Sequence, residues 1–89
     1  MLFIINKSPF TSKSLESCLQ IAKEGDSILF IEDGVFAAHM RLEKAEEKGV
    51  AVYLLEADTE ARGVTTSLPV VDYRGFVDLV ETDTVVSWM

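Results

Sequence analysis

The chain has one cysteine (Cys18), one histidine (His39) and two prolines in 89 residues. A solitary thiol excludes an internal disulfide and fits a reducing compartment, so a cytoplasmic location is expected. Without a Cys-x-x-Cys pair there is no dithiol redox chemistry. One imidazole with no partner histidine argues against a metal centre, and neither metal nor cofactor is expected. No glycine-rich phosphate loop follows the first apolar run, and no serine or cysteine sits in a nucleophile elbow. Positive charge is also scarce: eight Lys and Arg stand against 15 carboxylates, for a net charge of −7. Such a field repels phosphate backbones, so direct nucleic-acid binding is not expected. No window of about 18 apolar residues could span a bilayer. The start, "MLFIINKSPF", lacks a charged n-region and a cleavage site and reads as no signal peptide.

Apolar side chains, by contrast, are plentiful at 48%. The length suits a single domain over 1–89, and a chain this short buries only about 60–65% of its unfolded surface. Excess apolar surface is usually hidden against partners, which points to an oligomer.

Periodicity orders the chain. Leu2–Asn6 is an apolar run of strand length, ended near Pro9. Leu15, Cys18, Leu19 and Ala22 form one face of a helix over Ser14–Glu24, with Gly25 as its stop. Ser27–Ile31 does not alternate and reads as a strand buried on both faces. A second helix is expected from Gly34 to Lys48 with Val35, Ala38, Leu42 and Ala45 inward, Gly49 as its stop, and Lys44 and Lys48 complementing its dipole. Val50–Leu55 is a third strand. Ala57–Gly63 is a short helical turn capped by Asp58, and Leu68–Asp72 a short strand. Tyr73, Phe76, Val77 and Val80 have helical spacing, and Thr84–Trp88 is a last strand. The apolar terminus "VVSWM" reads as an edge strand under cover of this chain or a partner. The alternation of strands and helices predicts an α/β fold, a mostly parallel five-stranded sheet with helices on both faces. Ligands of such sheets collect at the carboxyl ends of the strands.

Candidate chemistry is thin there. Glu32 and Asp33 follow the second strand, but adjacent strand residues point to opposite faces, and Asp33 reads as a helix cap rather than a general acid or base. His39 reads as a packed, partly exposed imidazole. Asn6 stands where a phospho-acceptor domain needs a carboxylate. Cys18 alone offers covalent chemistry. It is a candidate sulfur carrier if its thiol is accessible and its pKa lowered, and a core residue if it is buried on the apolar face of its helix.

Taken in order, "NKSPF…SLESCL", "GDSILFIEDGVFAA", "VYLLEAD…ARG" and "VDYRGFVDLV" resemble the DsrH/TusB family, the small subunits of the DsrEFH and TusBCD sulfur-relay complexes. The resemblance covers nearly the whole chain. Its more specific parts are Asp33–Gly34–Val35 with Ala37–Ala38, Ala61–Arg62–Gly63, and Asp72–Tyr73 with Phe76. It implies a flavodoxin-like fold and a cytoplasmic subunit of an oligomer. The partners implied are DsrE/TusD-like and DsrF/TusC-like sister subunits, or further copies of the chain itself. The complexes pass persulfide sulfur, toward 2-thiouridine at the tRNA wobble position or in the oxidation of stored sulfur. In both, the main sulfur-carrying cysteine belongs to a larger sister subunit, after its third strand. Here Leu55 and Glu56 fall at that place, so the resemblance implies a docking or structural subunit with no enzyme activity alone. DsrH-like members carry a cysteine matching Cys18, where TusB-like members have an apolar residue. The alternative is a stand-alone, homo-oligomeric flavodoxin-like ligand-binding or regulatory domain.

Overall fold

The computed structural model of the chain describes residues 1–40 and 42–88. Five strands, β1 (Leu2–Ile5), β2 (Ser27–Phe30), β3 (Ala51–Leu55), β4 (Val70–Val71) and β5 (Val85–Trp88), form one sheet in the order β4-β3-β2-β1-β5, every pairing parallel. β1 and β2 lie inside it. Their unalternating sequences fit that place, since Leu2, Phe3, Ile5, Ile28, Leu29 and Phe30 are all buried.

Helices α1 (Ser14–Ile21), α2 (Glu43–Lys48), α3 (Glu56–Ala61) and α4 (Tyr73–Thr82) make the connections, with a 3₁₀ segment at Glu32–His39. The first three crossovers step in one direction across the sheet, so their right-handedness places them on one face. The last returns from β4 to the far edge, which sets α4 on the other face. Flavodoxin itself, with order 2-1-3-4-5, reverses near its start; this chain reverses only after β4. On the first face Phe3, Ile5, Ile28, Phe30 and Leu54 pack with Leu15, Cys18 and Leu19 of α1 and with Val35 and Ala37. Leu2 and Leu29 are buried but stand outside that cluster, on the α4 side.

Several expected elements are redrawn. The helix expected over Gly34–Lys48 is two pieces, broken where Met40 takes an extended backbone. An i, i+3 stripe of small and apolar residues suits three residues per turn as well as 3.6, so the pattern did not separate the two. Gly34 sits directly over the Ile5 carbonyl, where a Cβ would collide. α1 stops at Ile21, and Gly25 (φ 89) serves the turn beyond it, where Asp26 accepts the Lys23 N–H at 2.9 Å. Lys48 reaches across to the carboxyl end of α1, donating to the Leu19 carbonyl and, at 3.3 Å, to that of Ala22. α1 has no basic residue in its own last turn, so its dipole is answered from α2. β4 is cut to two residues because the Thr66 hydroxyl captures the Leu68 N–H at 3.0 Å and Pro69 has none to give. Gly49 (φ 73) closes α2 as expected, and the Asp72 carboxylate caps α4 by accepting the Gly75 N–H at 2.8 Å. β5 is an edge strand paired with β1. Met89 and the Trp88 side chain, on which the cover for "VVSWM" depended, lie outside the described residues.

Candidate functional site

The carboxyl ends of β2 and β3 are joined by a charged cluster. The Glu32 N–H donates to Asp58 Oδ2 at 2.7 Å. Arg62 Nε donates to Asp33 Oδ1 at 2.9 Å, and Arg62 Nη1 approaches Asp58 Oδ1 at 3.4 Å. Glu32 takes a left-handed backbone (φ 49), which no other described non-glycine residue does. Asp58 lies inside α3 rather than capping it, and its carboxylate holds an N–H at the start of the 3₁₀ segment, 26 residues away. Asp33 is likewise no cap. It is the anchor for Arg62, since the 3₁₀ segment shows no side-chain cap. The pairing of "EDG" with "ARG" across two crossovers left no local pattern to read. The Asp33 and Asp58 carboxylates both face the Arg62 guanidinium, an arrangement that ties the two loops together.

Beside it, Asn6, Ser8, Thr11, Ser12, Glu32 and Asp33 line a cavity of about 430 Å³ at the end of β1. The Asn6 Oδ1 is buried without a hydrogen-bond partner among the described residues. No group of three His, Cys, Asp or Glu side chains among the described residues could hold a metal ion. His39 is exposed and stacks on Phe36 with ring centroids 6.4 Å apart.

Cys18 is not at the strand ends. It faces the sheet from the middle of α1 with 0% exposure, among the first-face core side chains. Burial, aided by the charge of Asp26, pushes its thiol up to about 11. At pH 7 only about one molecule in ten thousand then carries the thiolate, the form that attacks sulfur. At the end of β3 the chain has half-buried Leu55 and exposed Glu56.

The outer surface is more distinctive than the strand ends. Tyr73 is 74% exposed and Phe10 64%, with Met40, Val70 and Val77 also open to solvent. None of the α4 residues is fully buried. No helix among the described residues is long and apolar enough to cross a membrane.

Comparison with known proteins gives one consistent set of relatives. The family model for DsrH like protein matches residues 7–86. Protein TusB of Pectobacterium parmentieri is 35% identical over 100 residues, covering 99% of this chain and 100% of that protein. Protein TusB of Escherichia coli K12 is 34% identical, covering 89% and 90%. The solution NMR structure of Protein Tm0979 from Thermotoga maritima superposes with a TM-score of 0.73 at 29% identity, over 93% of this chain and 94% of that one.

Proposed function

Because the chain belongs to the DsrH-like protein family, we propose that it is a subunit of a cytoplasmic sulfur-relay assembly that docks sister chains and does not itself carry the sulfur. The assembly delivers persulfide sulfur for tRNA wobble-uridine 2-thiolation, the pathway to which the resemblance to TusB points. The observation that carries the docking reading is the state of the only thiol: fully buried, its pKa raised rather than lowered. A carrier must present a thiolate to two protein partners in turn, and this one can present it to neither without opening the core. On this reading Cys18 is a packing residue, and the carrying cysteine lies on a sister subunit. The exposed aromatic and aliphatic side chains support an assembled state, since a domain this small has more apolar surface than it can fold away.

The test is co-expression with DsrE/TusD-like and DsrF/TusC-like chains, followed by solution mass and persulfide transfer. The expected result is a stable complex whose transfer rate is the same with Cys18→Ala as with the native chain, with no sulfur added to this subunit in its intact mass. A monomer that ignores both sister chains would overturn the docking role. Sulfur on the native chain and not on Cys18→Ala would overturn the assignment of carriage elsewhere.

A further inference from the structure

One face of the sheet is underfilled. Its strands, about 4.8 Å apart, together span about 20 Å, twice the width of a helix. Three helices cover the first face, and α4 alone lies on the other. Val85 shares that second face, because it pairs in register with Leu2, and it stays exposed. α4 turns its half-buried Phe76, Leu79 and Val80 toward the sheet. Tyr73 and Val77 remain open to solvent, and Tyr73 is the most exposed of the large apolar side chains described. Phe76 braces its ring, with centroids 5.9 Å apart. An aromatic side chain that is exposed and already held in place suits the anchor of an interface.

The spacing along α4 says what the occupant is. Tyr73, Val77 and Val80 recur at steps of four and three, the d, a and d places of a heptad seam. Arg74 and Glu81 each follow a d residue, so both are e places, one heptad apart. Both side chains are exposed, and neither has an ion pair or side-chain hydrogen bond among the described residues. When two helices pack antiparallel, e places meet e places in reversed order. A second copy laid antiparallel on α4 sets Arg74 against the partner's Glu81, and Glu81 against the partner's Arg74. Packed parallel, e places meet g places, where this helix has only Phe76 to offer. The stripe is self-complementary in one direction alone, as a two-fold interface requires.

We propose that α4 is a dimer seam, on which a second copy of this chain packs antiparallel about a two-fold axis near Val77, with Arg74 of each copy facing the partner's Glu81. Tyr73 then lies beside the partner's Val80, and the underfilled face of each sheet gains a second helix. The inference stands apart from the sulfur-relay reading, because it rests on the residue pattern of α4 and not on the family.

The test follows the solution mass of the whole chain by sedimentation, in about 0.15 M salt to screen the repulsion between two acidic copies. Between about 10 µM and about 1 mM, the mass should rise from that of one chain to that of two. Tyr73→Ala should weaken the dimer at least about tenfold. Arg74→Glu, which opposes carboxylates at two places, should weaken it about tenfold, and adding Glu81→Arg should restore it to within about threefold. All three positions are exposed, so thermal unfolding of the variants at low concentration should match the native chain. A chain that stays single at about 1 mM, or a dimer indifferent to Tyr73→Ala, overturns the proposal. A double variant no tighter than Arg74→Glu overturns the antiparallel arrangement. A chain that stays single yet binds a sister chain through Tyr73 overturns the choice of a second copy.

Discussion

The centre of the sheet and its β3–β4 margin are built to opposite rules. β1 and β2 pair over four successive rungs, and of their eight residues Leu2, Phe3, Ile5, Ile28, Leu29 and Phe30 are buried. At the margin the ladder has two rungs, Val70 is 39% exposed, and α4, which packs beside it, buries no residue fully. The centre holds the hydrophobic stabilisation and the only thiol. The margin has a short ladder and exposed aromatic surface. Regions with few buried contacts open most readily and are where binding surfaces are found. In a chain short of titratable chemistry, function is therefore expected at the margin and stability at the centre.

The largest test of that contrast is a pair of truncations. Phe30→Ala in β2 removes a fully buried ring packed in the core cluster and should cost about 3–5 kcal/mol. Val70→Ala in β4 removes a partly exposed side chain and should cost under about 1 kcal/mol. Urea titrations of both variants check this. Similar midpoint shifts would erase the distinction.

Next in size is Cys18. Cys18→Ser places a hydroxyl among the apolar side chains of the core, and should cost about 1–3 kcal/mol. Cys18→Ala leaves a small void and should be milder. In the native chain the thiol should react with an alkylating reagent only as fast as the core opens, so the labelling rate should rise with urea in step with unfolding. Fast labelling of the folded chain would show that the thiol reaches the surface, and with it a route to sulfur chemistry.

A smaller effect sharpens the contrast at the strand ends. Asp58→Ala removes both the acceptor for the Glu32 N–H and a partner of Arg62, and should cost about 1 kcal/mol. Glu32→Gly relieves the left-handed backbone and should stabilise by about 0.5 kcal/mol, the strain relief being partly offset by glycine's entropy. The pair, read by thermal unfolding, should move in opposite directions.

How much of this was legible beforehand depended on how local its cause was. The strands β1 and β2, the Gly49 stop and the helical face containing Cys18 follow from runs and spacings of neighbouring residues, and they appear where the sequence put them. The break at Met40 was hidden because the stripe from Val35 to Ala38 fits a 3₁₀ winding as well as an α-helix. Lys48 on the end of α1, Asp58 on the start of the 3₁₀ segment and Arg62 on Asp33 join residues 26 to 29 apart, and no periodicity reports such pairs. The shortness of β4 was partly written in Pro69.

The smallest expected effect concerns the amino-terminal edge, where the Met1 ammonium bridges Asp26 at 2.9 Å and Asp83 at 3.0 Å, tying the starts of β1, β2 and β5 together. The Asp26 carboxyl is held below its ordinary 3.8, first by the Lys23 N–H and then by the ammonium. That of Asp83 is lowered first by the ammonium and then by the Thr84 N–H. The ammonium is raised above 8.0 by the hydrogen bonds it donates to Asp26 and then to Asp83. For the carboxylates, the folded state binds the proton less tightly than the unfolded chain. Their contribution is complete above 3.8 and is lost as pH falls through the lowered folded value. For the ammonium the order reverses: its contribution is complete below 8.0 and is lost as pH rises through the raised value. Thermal stability should therefore hold level between these limits and decline on either side. Because these groups are exposed, their own share of both declines should be shallow and should flatten in high salt; above pH 9, ionisation of the Cys18 thiol in the unfolded chain adds a steeper loss. Asp26→Asn should weaken the alkaline decline, since the ammonium then has Asp83 alone to hold its proton. If the native chain and Asp26→Asn lost stability identically above pH 8, the ammonium would not be tying the edge, and the amino-terminal end of the sheet would belong with the loose margin rather than with the centre.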